Sequence, residues 1–139
     1  MIDFGITHGD CYDVMRGIPD GSVDMVLTDP PYGTTRNHWD KPIDLMEFWQ
    51  EIKRICKPNA AIVVFSQQPF AAELIASNRK QFRYEWIYVK DNGTGFLNSH
   101  KMPMKIHENI LVFYGRLPKY HPQMTYGHKP YISKQKKQF

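Results

Sequence analysis

The run Val23-Asp24-Met25-Val26-Leu27-Thr28 followed by Asp29-Pro30-Pro31-Tyr32 constrains this chain more than any other stretch. Its first six residues are short, β-branched and apolar and end in a turn cluster, which predicts a buried strand. Two consecutive prolines then hold the backbone extended. Neither has an N–H to donate, and each turns the residue before it away from the helical region. The carbonyls of Asp29 and Pro30 are thereby left as acceptors beside a carboxylate and an aromatic ring. A rigid set of acceptors next to a stacking surface suits a planar, amine-bearing ligand such as a nucleobase. A plain strand with a proline turn is the alternative reading. The Asp before and the Tyr after, at a strand's carboxyl end, favour the binding role.

Helical and strand periodicities alternate around this stretch. Ile2, Phe4 and Ile6 predict a short strand over residues 2 to 8, and Asp10 is placed to cap a helix over 11 to 17. Leu45, Phe48, Trp49, Ile52, Ile55 and Cys56 fall at helical spacing, predicting a helix over 43 to 57 that Pro58-Asn59 stops. Ala60 to Phe65 reads as a second apolar strand, after which Ser66 is expected to cap a helix bearing Phe70, Leu74 and Ile75. Phe82, Tyr84, Trp86 and Tyr88 alternate, predicting a strand with one buried face, and Ile110 to Tyr114 is a further strand. The alternation argues for an α/β sheet, parallel at first, whose last two strands are antiparallel. Ligands of open α/β sheets bind outside the carboxyl ends of the strands, so Asp10, Asp29 to Tyr32 and Ser66-Gln67 are expected on one rim.

One domain is expected from 139 residues, enough for a core without staples. No apolar stretch approaches membrane-spanning length and no charged-then-apolar leader opens the chain, so a cytoplasmic location with no membrane contact is expected. Cys11 and Cys56 stand in no metal-ligand spacing and read as free thiols; the six histidines form no ligand cluster, and no metal is assigned. The net charge of +4 is uneven. Arg116, Lys119, Lys129, Lys134, Lys136 and Lys137 meet no acidic residue after Gly115, and without them 12 basic residues face 14 acidic ones. Interleaved with Tyr120, Tyr126 and Tyr131, this basic end suits a polyanion, as the aromatic share of 14% suits base stacking. Arg36 is a candidate phosphate contact, and Trp39 is placed to pack on or close over the pocket.

An exocyclic amine on a base is a poor nucleophile because its lone pair is delocalised into the ring. Acceptors that bond its two hydrogens push the nitrogen toward tetrahedral geometry and return the lone pair for attack on an activated methyl group. Asp29 and Pro30 suit that task, and the Tyr32 ring can hold the base. A duplex base reaches such a pocket only when flipped out.

On these residues the chain resembles the DNA amino-methyltransferases that modify adenine N6 or cytosine N4 with S-adenosylmethionine, in the subgroup whose catalytic motif comes first. The resemblance rests on Asp29-Pro30-Pro31-Tyr32-Gly33 after its strand. Gly9-Asp10, Lys57-Pro58-Asn59 and Glu108-Asn109-Ile110-Leu111-Val112-Phe113 support it. It implies that Asp29 and Pro30 accept from the target amine, with Pro31 completing the motif, and that Tyr32 stacks on the base. It further implies that Asp10 and Asp29 approach the cofactor S-adenosylmethionine, and that DNA is the partner, with Lys129, Lys134, Lys136, Lys137, Arg36 and Trp39 as candidate contacts. An Asp heading the motif more often accompanies adenine in this family, so N6 is the expected target.

Family members hold the cofactor's methionine part on a glycine-rich loop between a strand and a helix, which in this subgroup lies downstream of target recognition. Nothing after Gly115 matches it, and Asp91-Asn92-Gly93-Thr94-Gly95 reads as an ordinary flexible loop because no amphipathic helix follows. The expected fold is thus an incomplete Rossmann-like methyltransferase sheet, parallel strands with an antiparallel C-terminal pair. Residues 1–115 are expected to form the catalytic part, with 116–139 a basic tail that is disordered or begins target recognition. A central strand with a bare edge is a template for association, so a second chain or self-association is expected, with weak cofactor binding and little activity for the chain alone. Two other readings stand beside this one: methyl transfer to RNA or a protein amide, and a non-catalytic nucleic-acid-binding remnant.

Overall fold

The computed structural model describes residues 5–35, 37–38 and 40–129. Among these residues three α-helices and four strands follow in the order α1 (Cys11–Arg16), β1 (Val23–Thr28), α2 (Leu45–Ile55), β2 (Cys56–Ser66), α3 (Phe70–Ser77), β3 (Phe82–Thr94) and β4 (Lys105–Phe113). The sheet runs β1-β2-β4-β3, with β1 parallel to β2 and both other pairings antiparallel. This is the α/β arrangement with an antiparallel C-terminal pair that the periodicities predicted. No helix among the described residues is long and apolar enough to cross a membrane.

One face of the sheet carries the core. Val64, Leu111 and Phe113 are fully buried beneath Phe70 and Leu74 of α3 and Phe48, Trp49 and Ile52 of α2. Asp44 starts α2 by accepting from the N–H groups of Met46 and Glu47 at 2.8 and 3.1 Å, which satisfies donors the first turn leaves open. The Phe113 ring lies 4.9 Å from Trp49 and 5.6 Å from Phe82, tilted and edge-on, as aromatic quadrupoles prefer. Arg54 ties α1 to this layer. Its guanidinium donates to the carbonyls of Ile18 and Met15 at 2.9 and 2.7 Å, and pairs with Asp20 and Glu51.

The opposite face is open. Met25, Leu27, Tyr84 and Trp86 are exposed there and, with Val63 and Val112, line a groove of about 750 Å³ that Leu117 to Tyr120 partly crosses. The strand β3 therefore departs from the expectation of one buried face: Phe82 packs on the helical side, and after a register shift Tyr84 and Trp86 turn to the uncovered face, where with Tyr88 they stay about half exposed.

Other expectations are corrected as well. Residues 5–8 form no strand, and residues 2 to 4 lie outside the described residues. Ile6 is fully exposed, so its alternation meets no neighbouring ladder, and β1 stands at the edge of the sheet. Ser66 does not cap α3. Strand β2 runs through it, its hydroxyl donates to the Asn109 carbonyl at 3.3 Å, and Pro69 takes the N-cap position without a side-chain bond. Pro58 does not bound β2, which starts at Cys56 immediately after α2.

The core makes a quantitative claim. Truncating Phe113, which touches both helical and strand aromatics, is expected to cost about 3–5 kcal/mol. Urea unfolding of Phe113→Ala checks this, with a lowered midpoint at an unchanged slope as the expected result.

Candidate active site

Strand directions bring the polar residues to one rim. Because β1 and β2 are parallel, with Thr28 opposite Val64, their carboxyl ends emerge together. Strand β4 runs the other way, so its amino-terminal half lies at that same end, with Asn109 opposite Ser66. Strand β3 reverses again and delivers its late residues there, Tyr88 opposite Glu108. A cleft of about 610 Å³ opens on this rim between Asp29 to Tyr32, Gln67, Lys90 and Glu108.

Of the expected site residues, Asp29, Pro30, Pro31 and Tyr32 all line the cleft. Gln67 joins them, as the rule for strand ends anticipated. Asp10 does not line it. Its carboxylate accepts from the Tyr12 N–H at 2.9 Å and caps α1. Lys129 is exposed on the irregular segment after β4. Arg36, Trp39, Lys134, Lys136 and Lys137 lie outside the described residues.

Three carboxylates line the cleft, and each has a different engagement. Asp40 is buried and accepts from the backbone N–H groups of Gly33 and Thr35 at 2.8 and 2.6 Å. A hydrogen bond from the Thr35 side chain holds its carboxyl below the ordinary range, opposed by burial and aided by backbone bonds from Gly33, Thr35 and Thr34. Glu108 pairs with Lys90, both side chains being more than four-fifths buried. Asp29 is exposed and takes the Tyr32 hydroxyl on Oδ1; its second oxygen and the Pro30 carbonyl accept no bond from the described residues.

Tyr32 is held from two sides. Its ring stacks on Phe70 with centroids 5.6 Å apart and planes at 26°, which leaves one aromatic face toward the cleft. Burial, followed by the bond to Asp29 and the charges of Asp29 and Glu108, raises its hydroxyl well above the ordinary phenol range. The group therefore stays protonated and donates.

Gly33 turns the chain away from the prolines at φ +68°, where side chains are strained, and a Cβ there would sit 2.4 Å from Pro42 Cγ. The turn and the Asp40 acceptors together bring Asp40 and Pro42 back against Gly33 and Thr35. The glycine was visible in the sequence; Asp40, Lys90 and Glu108 were not singled out as site residues. Their signal was positional: an Asp seven residues after the turn glycine, and opposite charges on adjacent alternating strands. The run Asp91 to Thr94 is not a loop but the end of β3, and Gly95, at φ +90°, leads into one 3₁₀ turn over Phe96–Asn98.

Asp40 gives a pH signature. A carboxyl held low in the fold stabilises the loop above its unfolded value, and that contribution is lost as pH falls through the folded one. Protection of the Gly33 and Thr35 amides from exchange, taken relative to the intrinsic rate at each pH, is expected to hold through the ordinary carboxylate range and to fall only at more acidic pH. In Asp40→Asn the pH dependence should vanish, and Gly33→Ala should lose protection at every pH.

Comparison with known structures bears on what this geometry is. PvuII DNA methyltransferase (cytosine-N4-specific) superposes with TM-score 0.61 at 13% identity, over 80% of this chain and 49% of that one. The M1.HpyAVI–SAM complex gives 0.60 at 19% identity, over 94% and 66%. TTHA0409 of Thermus thermophilus, complexed with S-adenosyl-L-methionine, gives 0.55 at 22%, over 84% and 56%. These are likenesses of fold, and the chain spans about half to two thirds of each. The partial Rossmann-like sheet is thus shared with methyltransferases. Residues 23–138, most of the chain, match the N6/N4 methyltransferase family model described as DNA methylase. The chain belongs to this DNA methylase family.

Proposed function

We propose that this chain carries the base-holding part of an S-adenosylmethionine-dependent DNA methyltransferase that modifies N6 of a flipped-out adenine. The observation that carries the reading is the state of Asp29. Among the three cleft carboxylates it alone is exposed and neither committed to backbone donors nor ion-paired, and its second oxygen stands next to the Pro30 carbonyl without a partner among the described residues.

An exocyclic amine has two hydrogens, and Asp29 Oδ2 with the Pro30 oxygen offers one acceptor for each. Accepting both draws the nitrogen toward tetrahedral geometry and localises its lone pair, an effect that grows as positive charge develops on the nitrogen. The protonated Tyr32 hydroxyl on Oδ1 fixes the carboxylate's rotation, and the Phe70-backed ring is a stiff platform for the base. Asp29 at the head of the motif supports adenine over cytosine; the likeness to a cytosine-N4-specific enzyme concerns the fold.

S-adenosylmethionine supplies the methyl group in this reading, since two of the similar structures hold it. The described residues fit the base side of such a site and not the cofactor's methionine side. Among them no glycine-rich turn leads from a strand into an α-helix, and Gly93 lies inside the β3–β4 hairpin. The chain's own residues therefore act on the base. The basic residues after Gly115, Lys129 among them, support contact with DNA phosphates.

Methyl incorporation from labelled S-adenosylmethionine into duplex DNA, with the chain supplemented by a polypeptide that supplies the cofactor's methionine side and followed by nucleoside separation, tests this. N6-methyladenine is the expected product, with a loss of about 10²–10³-fold in Asp29→Ala. N4-methylcytosine would reverse the base assignment, and full activity in Asp29→Ala would overturn the reading.

A further inference from the structure

The cleft holds one side-chain amide whose orientation is settled by its neighbour. Gln67 follows the last residue of β2, is half-buried, and lines the cleft with Asp29 and Tyr32. Lys105, the first residue of β4, donates from Nζ to Gln67 Oε1 at 2.9 Å. An ammonium has donors and no acceptor, so only the amide oxygen can face it. The NH₂ group is thereby turned the other way, and its two hydrogens find no partner among the described residues.

That commitment matters because of what stands beside an exocyclic amine. In adenine N1 flanks the carbon that bears the amine and N7 lies on its other side; in cytosine N3 flanks it. All are lone-pair acceptors. In thymine, and at the O6 edge of guanine, the ring nitrogen beside the oxygen carries a proton instead. A site whose acceptors take the amine needs a donor for that neighbour, and on the N1 side of a purine or the N3 side of a pyrimidine a donor opposes a keto edge, which presents another N–H there; N7 is an acceptor in adenine and guanine alike. A free glutamine amide could turn to satisfy either edge. One whose oxygen is held by an ammonium cannot.

The other charged groups of the cleft do not supply this donor. Lys90 is engaged by Glu108, and Asp40 is an acceptor committed to its own loop. We propose that Gln67 reads the ring nitrogen beside the target amine, donating to it through an amide that Lys105 locks in the donor orientation. Gln67 is then a specificity-determining residue and Lys105 a positioning residue. The proposal rests on the amine-accepting role of Asp29 and Pro30 and deepens it.

Binding of nucleosides to the full chain, followed by amide chemical shifts of the cleft residues, separates the two claims. The probes are 2′-deoxyadenosine, its 1-deaza and 7-deaza analogues, which keep the amine and lose one ring acceptor each, and purine 2′-deoxyriboside, which keeps the acceptors and lacks the amine. One deaza analogue is expected to bind about tenfold more weakly than deoxyadenosine. Gln67→Glu keeps the shape and the Lys105 partner but has no N–H, and is expected to bind deoxyadenosine as weakly as that analogue while no longer distinguishing the two. Lys105→Met should shrink the discrimination by freeing the amide to turn, with unchanged shift dispersion confirming the fold of both variants. Equal affinity for deoxyadenosine and both deaza analogues in the unsubstituted chain would overturn the role of Gln67 and leave the amine reading standing. Equal affinity for the amine-free purine would overturn the amine reading itself, and absence of any cleft shift with deoxyadenosine would overturn both.

Discussion

Everything at the rim depends on the burial of one sheet face. Val64 and Leu111 are neighbours across the β2–β4 ladder, fully buried and covered by α3, and Phe113 fits between Trp49 and Phe82. A strand slipped by one residue would turn these side chains to the open face and expose them, at a cost of about 1.5–3 kcal/mol for each. The core therefore pins the register, and the register decides which residues come level at the far end. Asp29, Gln67, Lys90 and Glu108 converge through the packing of residues that never touch them.

The cleft then sorts like charges by environment. Buried carboxylates are tolerated when paired or hydrogen-bonded, and two of the three meet that condition in different ways. Asp40 spends its oxygens on backbone donors and becomes part of the loop's structure, while Glu108 is neutralised by Lys90. Asp29 stays exposed, so solvation supports its charge until a ligand takes the place of water. Its openness is a consequence of the two prolines, which project it past the last rung of β1 without offering any N–H in return.

Much of this was legible in the residues themselves. The extent of the Val23–Thr28 strand, the α2 stripe and the Asp29-Pro30-Pro31-Tyr32 stretch were readable from local rules. That strand, expected to be buried, instead lies at the sheet edge with Met25 and Leu27 exposed, because one of its faces has no cover. The misreadings occurred where local rules and tertiary packing part. Ser66 looks like a helix cap by chemistry, yet ladder pairing with β4 claims it first. The aromatic alternation of β3 looks half-buried, but a register shift after Phe82 turns Tyr84 and Trp86 to the face that no helix covers, and alternation does not state which face its helices take. Asp40 and the Lys90–Glu108 pair depend on contacts across a loop and between strands, which composition and spacing do not encode. The lock on Gln67 is of the same kind, since Lys105 lies 38 residues away along the chain.

The antiparallel hairpin has a bearing on how such a protein can diversify. Thr94 and Lys105 form the last rung of the β3–β4 ladder, and the chain between them projects beyond the sheet. Changing the length of that projection alters only a loop-closure term, which grows by about 0.6 kcal/mol for each doubling. Segments can thus be grafted into the tip while the ladder below continues to hold Lys105 against Gln67. The tip of the hairpin is in this sense interchangeable, and the ladder beneath it is not.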